Sequence, residues 1–312
     1  MEFFKRTNID FMRIRWPAIW LSTAINLIGI GSMIFHGFNF GLDFTGGTVV
    51  EVGYQQPADL VQVRRALTEG GFKEAGVQHF GSTREVLIRL PPVAAGSGAD
   101  LGDRVVATLN VSAGADQVQL RRVEFVGAQV GKELVEQGGL AILYTLIGIL
   151  IYIAIRFEWR FAVGAVIATV HDVIVVLAVF TLFQVEFDLT ALAAVLAIIG
   201  YSLNDTVVIF DRIRENFRKV RKGTILDVVN LSVNETLSRT IITHGTTLLT
   251  VLALYFLGGQ VIHGFALAFL VGIVVGTYSS IYVASSATVL LGVSRADLMP
   301  IKKEGAELDG RP

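Results

Sequence analysis

The chain has 312 residues, of which 53% are hydrophobic and 17% charged, and its formal net charge is −1. Soluble globular domains carry about 25% charged residues, so this composition excludes an ordinary soluble enzyme, and the wealth of apolar side chains excludes a disordered chain. With no cysteine there is no disulfide, thiolate catalyst or cysteine-held metal, and the near-zero charge gives no footprint for nucleic acid.

In chain order, residues 1–15 form a basic segment with Lys5, Arg6, Arg13 and Arg15, predicted to be cytoplasmic. Residues 16–35 are the first of six runs that reach the roughly 20 apolar residues needed to cross a bilayer. The run is longer than the roughly 7–15 residues of a signal h-region and no small-x-small cleavage site follows, so it reads as an uncleaved anchor.

Residues 36–137 read as an exterior α+β domain. Within it, Gly47–Tyr54 alternates as a strand, and Leu60, Val63 and Leu67 place a helix over Pro57–Glu69. Val77–Phe80 and Glu85–Leu90 read as strands, 91–99 as a loop, Asp100–Val111 as a helix and Gln117–Val126 as a last strand. The order β-α-β-β-α-β fits a ferredoxin-like unit. His79, alone near a strand, reads as structural.

Residues 138–292 hold the other five spans, at about 138–155, 161–183, 189–210, 240–257 and 265–291, with a basic loop over 211–238. Arg156, Arg160, the cations of the 211–238 loop and Arg295, Lys302 and Lys303 of the 293–312 tail all fall on one side of six spans. The loops Gln184–Asp188 and Gly258–His263 hold no Lys or Arg. The positive-inside rule then predicts cytoplasmic termini and an exterior 36–137 domain.

Ionisable groups within spans are expensive and are functional candidates. Asp205, after Asn204 in the fourth span, is the sharpest, and Tyr201, Asp205, Val208 and Arg212 share a helix face. The fifth span offers a polar stripe, Arg239, Thr243, Thr246 and Thr250. An Asp205–Arg239 pair would suit proton transport; equally, Arg239 could snorkel to the headgroups and Asp205 close a static bridge. His171 and Asp172 lie mid-span in the third helix, as an extension of a proton path or as a buried interhelical hydrogen bond. His244 is a weaker candidate. Gly264, Ala268, Gly272, Gly276, Ser280 and Ala284 form a small-residue packing ridge. No phosphate-binding loop, metal-ligand spacing or catalytic constellation is present in the sequence, so no enzyme activity, cofactor or metal is expected.

Three segments resemble the SecD/SecF family of protein-export membrane proteins, nearer its SecF branch. The first is Gly41-Leu42-Asp43-Phe44-Thr45-Gly46-Gly47 after the first span. The second runs from Phe125-Val126-Gly127-Ala128-Gln129-Val130-Gly131 through Arg156–Arg160 to His171-Asp172. The third is Ile199-Gly200-Tyr201-Ser202-Leu203-Asn204-Asp205-Thr206 with Asp211–Asn216, continued by Arg239-Thr240. Two positions depart: Ala128 where the family commonly has Pro, and His244 where a small polar residue is expected. The resemblance implies six transmembrane helices forming one half of an RND-type transporter in the inner (plasma) membrane. It implies a SecD-like partner for the other half, and association with the SecYEG channel, the SecA motor and YajC. It further implies use of the proton-motive force to promote preprotein movement, with Asp205 and Arg239 on the proton path and Gly41, Asp43, Phe44, Gly46 and Gly47 as the family motif. Two alternatives stay open: a half-transporter for small molecules, and a scaffold that only stabilises the translocon.

Overall fold

The computed structural model describes residues 7–92, 98–114, 117–220 and 222–294. Lys5, Arg6, Arg221 and the cations of the C-terminal tail lie outside them, as does most of the predicted 91–99 loop.

A short 3-10 turn, Phe11–Ile14, leads into α1 (Arg15–Phe35). Asn234 and Asn230 hold this entry by hydrogen-bonding the backbone of Ile9 and Phe11 at 2.8 to 2.9 Å. After α1 come β1 (Asn39–Phe40) and a one-turn helix, α2 (Leu42–Thr45). The α+β domain then runs β2 (Gly47–Tyr54), α3 (Leu60–Glu69), β3 (Gly76–Phe80), β4 (Ser82–Leu90), α4 (Gly98–Ala113) and β5 (Val118–Val126). The sheet order is β3-β4-β2-β5, with every neighbour antiparallel. That is the arrangement expected of a split βαβ unit, with the first strand at the centre. Strand alternation sends Val50, Val52, Val86 and Ile88 to one face, where Leu67, Val105 and Leu109 of the two helices close the core. Asp59 starts α3 by accepting from Val61 N–H at 2.9 Å. Tyr54 lies at the rim of this core, and burial pushes its hydroxyl up to about 12. Its contribution to stability is therefore intact below pH ~10, the ordinary tyrosine value, and is lost as pH rises through about 12. His79 is exposed on β3, opposite Val86.

The remaining elements are α5 (Ala128–Arg156), α6 (Trp159–Phe183), β6 (Glu186–Phe187), α7 (Leu189–Lys219), α8 (Ile225–Leu257) and α9 (His263–Tyr278), which continues through a π-helical turn, Ser279–Ala284, into α10 (Ser285–Leu290). Six helical stretches among the described residues are long and apolar enough to cross a membrane. This is a multi-pass helical membrane protein. α6 and α7 are the central pair: half of each apolar window is buried, against 17% for α5 and α8. Phe157, Phe161 and Phe210 interlock at one end of this core, with Phe161 and Phe210 centroids 4.9 Å apart. The predicted ridge is buried from Ala268 to Ala284, and Gly276 brings its backbone against Ser202, where a Cβ would lie 2.9 Å from Oγ.

The structure moves several predicted boundaries. Most of the 211–238 loop is helical: α7 runs on to Lys219 and α8 begins at Ile225, closed by a capping box between Thr224 and Asp227. The helix predicted from 138 begins at Ala128, so its first turns belong to the 36–137 region. The hydropathy pattern marked only the apolar middle of each helix, and the polar turns at either end carried no such signal.

Candidate functional site

Asp205 is the central residue. It lies 16 residues into α7, about 24 Å from the helix start, and is 1% exposed. The residue that meets it is His244 of α8, whose Nε2 stands 3.2 Å from Asp205 Oδ2. This is ion-pair distance without hydrogen-bond alignment. His244 is itself buried; its Nδ1 meets Thr277 Oγ1 of α9, and the Tyr201 ring covers it at 5.0 Å. Tyr201 is fixed in turn by its hydroxyl, which donates to Thr247 Oγ1 at 3.0 Å.

Arg239 does not take the predicted place beside Asp205. It is exposed, as are Thr246 and Thr250 of the predicted stripe. The reason is helix phase. The inward face of α8 is Thr236, Thr240, His244 and Val251, and one residue along a helix turns it by about 100°. Asn204 is likewise exposed, one residue out of phase with Asp205.

His171 and Asp172 form a second buried centre. Asp172 Oδ1 meets His171 Nδ1 at 3.0 Å. Asp172 Oδ2 accepts from Ser202 Oγ at 2.6 Å and Ser279 Oγ at 2.8 Å. The carboxylate therefore joins α6, α7 and the π-helical turn. Thr206 and Ser280 add a hydroxyl pair at 2.8 Å next to it. His171 Nε2 has no hydrogen-bond partner among the described residues, and the ring borders an apolar cavity of about 590 Å³ between α1, α6 and α10. Asp172 and Asp205 thus sit on one connected set of helices, but the two histidines serve different carboxylates.

The Gly41–Gly47 segment is the joint between the α+β domain and α7. Asp43 Oδ2 accepts from Leu189 N–H at 3.0 Å, while Asp188 Oδ1 accepts from Ala191 N–H at 2.7 Å. Two carboxylates thereby satisfy orphan donors in the first turn of the helix that carries Asp205. Gly41 N–H donates to Phe187 O at 2.8 Å, and β1 pairs in parallel with β6. Phe44 stacks on Phe187 with centroids 5.8 Å apart. Gly46 has φ +67°, and a Cβ there would lie 2.8 Å from Ala128 Cα. On the sheet side, Arg89 of β4 bonds Glu186. Sequence reasoning missed Arg89, Glu186, Asp188, Ser202, Ser279 and Thr277. Only Asp188 had a usable signal, an Asp directly before an apolar helical run. We expect Asp43→Ala to lower thermal stability of the purified protein by about 0.5–2 kcal/mol, the range for a lost N-cap, and Asp43→Asn by less, since its amide oxygen still accepts.

The comparisons with known proteins agree. Residues 105–294 match the family described as protein export membrane protein SecD/SecF, C-terminal, and residues 31–58 match the SecD/SecF GG motif. A protein translocase subunit SecF of Vibrio alginolyticus is 53% identical over 307 residues, 98% of this chain and 97% of that one. Its counterpart in Pseudomonas aeruginosa is 48% identical over 98% of both chains. Among solved structures, SecDF of Thermus thermophilus, described as a translocon-associated membrane protein, superposes with a TM-score of 0.81 at 39% identity. The match covers 91% of this chain but 39% of that one, so the chain spans well under half of the longer SecDF polypeptide. On the strength of a match over most of its length and of relatives near half identical to it, the chain belongs to the SecD/SecF family of protein export membrane proteins.

Proposed function

We propose that this chain is an accessory subunit of the Sec export machinery that works with a SecD-like partner. In this role it uses the proton-motive force to promote preprotein movement through a SecYEG channel driven by SecA, with YajC as a further associate. The observation that carries the proposal is a buried carboxylate, Asp205, on a helix whose N-terminal end is fastened to the α+β domain. A change of charge at Asp205 alters the packing of α7 against α8, and α7 meets the sheet through Asp43, Phe187 and the Arg89–Glu186 pair. The exposed face of α8, with Arg239, Thr243, Thr246 and Thr250, is the surface we assign to the SecD-like half, which would bring Arg239 into the completed proton path beside Asn204. The cytoplasmic placement of the termini and the exterior placement of residues 36–137 follow from the basic loops.

The energy is of the right order. One proton crossing about 100 mV yields roughly 2.3 kcal/mol, enough to move a two-state equilibrium about fiftyfold. That suits biasing a domain movement and is too little to drag a folded protein.

The test is export in inverted membrane vesicles holding this chain, its partner and the channel, with and without an imposed proton-motive force. Asp205→Asn should lose at least nine-tenths of the force-dependent part, by analogy with roughly 10²–10⁴-fold effects of lost proton-transfer groups. Asp205→Glu should keep a measurable part. A response of Asp205→Asn equal to native, at equal complex levels, would leave only the scaffold role.

A further inference from the structure

His244 is buried at 6% exposure and makes two polar contacts, one through each ring nitrogen. Its Nε2 faces Asp205 Oδ2 at 3.2 Å, and its Nδ1 faces Thr277 Oγ1. Thr277 has a single hydroxyl proton, and that hydroxyl also lies 2.7 Å from the backbone carbonyl of Ile273, one turn back on α9. Two acceptors, Ile273 O and a bare His244 Nδ1, therefore compete for one proton. Which of them receives it depends on whether Nδ1 already carries its own.

We propose that Asp205, His244 and Thr277 form a one-proton site in which His244 shares the proton with Asp205 and Thr277 passes the protonation state to α9. This rests on the proton-coupled function proposed above. In the empty state Asp205 is a carboxylate and His244 is neutral with its proton on Nε2, 3.2 Å from Asp205 Oδ2. Nδ1 is then bare and takes the Thr277 hydroxyl proton. When the site gains one proton, the ring carries a proton on Nδ1 and donates it to Thr277 Oγ1. The Thr277 hydroxyl turns to Ile273 O, and one proton lies between Nε2 and Oδ2. The charge of the Asp205–His244 pair goes from −1 to 0, and release of the proton reverses each step.

The surroundings favour this assignment. From α7 the ring faces Asp205 and Tyr201, and from α9 it faces Thr277. Along α8 itself the nearest ionisable residue is Arg239, which is exposed. Tyr201 is held by Thr243 O and Thr247 Oγ1, so its own proton is committed. Thr277 is two residues before the π-helical turn Ser279–Ala284 that also carries the Asp172 contact, so a hydroxyl rotation here acts on the segment that joins both buried carboxylates. π-turns inside α-helices are frequent at functional sites.

The experiment uses the vesicle assay above over roughly pH 5 to 8, the range histidine switches span. Native protein, Asp205→Asn, His244→Gln, Thr277→Val and Thr277→Ser are compared, with co-purification of the SecD-like partner as the measure of assembly. His244→Gln should lower the force-dependent rate at least fivefold and displace the midpoint of its pH profile by a unit or more. Thr277→Val should displace the midpoint in the same sense and Thr277→Ser should leave it in place. A His244→Gln protein with the native rate and midpoint, while Asp205→Asn has lost the force-dependent part, would overturn the His244 assignment and leave the Asp205 reading standing. Retention of the force-dependent part by Asp205→Asn would remove both. If His244→Gln fails to assemble, Thr277→Val decides: a native profile there sinks the proposal and a displaced one upholds it.

Discussion

Asp172→Ala is expected to destabilise the membrane region markedly. The carboxylate is 1% exposed and takes three contacts, from His171 Nδ1, Ser202 Oγ and Ser279 Oγ. Interhelical hydrogen bonds in membrane proteins are worth roughly 0.6 to 1.7 kcal/mol each. Only the Ser202 and Ser279 bonds join different elements, and losing those two gives about 1–3 kcal/mol, with Ser279 Oγ able to turn to Gly276 O. Asp172→Asn should cost about half as much, because one oxygen still accepts while the amide faces two hydroxyls that must turn. The measurement is thermal loss of the monodisperse peak in detergent for the complex with its partner. A native melting curve for Asp172→Ala would show that these groups hydrogen-bond elsewhere. Because the carboxylate is already fully partnered, Asp172→Asn protein that assembles should keep most of its force-dependent export, in contrast to Asp205→Asn.

The second large effect is expected at Gly47. Its φ of +123° is open to glycine, and a Cβ would lie 2.4 Å from Leu90 O, a backbone atom that cannot yield as a side-chain tip would. Thr48, the next residue, pairs with Leu90 in the β2–β4 ladder. Gly47→Ala therefore adds about 1–3 kcal/mol of backbone strain and also pushes apart the strands nearest the joint. We expect at least a tenfold fall in force-dependent export with the membrane helices still inserted and paired with the partner. Gly31→Ala, where an added Cβ meets nothing within 4 Å, is the control and should behave as native. Full export by Gly47→Ala would mean that the joint tolerates loosening and is not the link we propose between α7 and the α+β domain.

Much of this architecture was legible in advance, for identifiable reasons. Six runs of apolar residues and the period-2 and period-3.6 patterns of residues 47–126 are local signals, and each marked an element that forms. The two intramembrane carboxylates stood out because a charge in lipid has few innocent explanations. What the pattern did not carry was rotation. α8 has apolar residues on every side, facing the bundle at Val233 and Val251 and pointing outward at Ile241, Ile242 and Leu249. Hydropathy therefore could not say whether Arg239 or His244 turned toward Asp205. Nor did any local signal show that Asp43 would cap a helix beginning at Leu189. Contacts of that kind join segments far apart in the chain and are written in no window of sequence. The Gly41–Gly47 motif was recognisable, but its role as a fastening came only with the strand pair of β1 and β6.

That fastening has a consequence for how the protein is made. Asp43 and Leu189 are 146 residues apart. At synthesis rates of about 5–20 residues per second, the second half of the joint leaves the ribosome roughly 7–30 s after the first. The ferredoxin-like unit is complete by residue 126, before α5 begins. At that point Asp43, Phe44 and the edge of β1 still wait for β6 and the start of α7 to be made. Docking of this joint is thus a late event of assembly, because its two halves are made far apart in time.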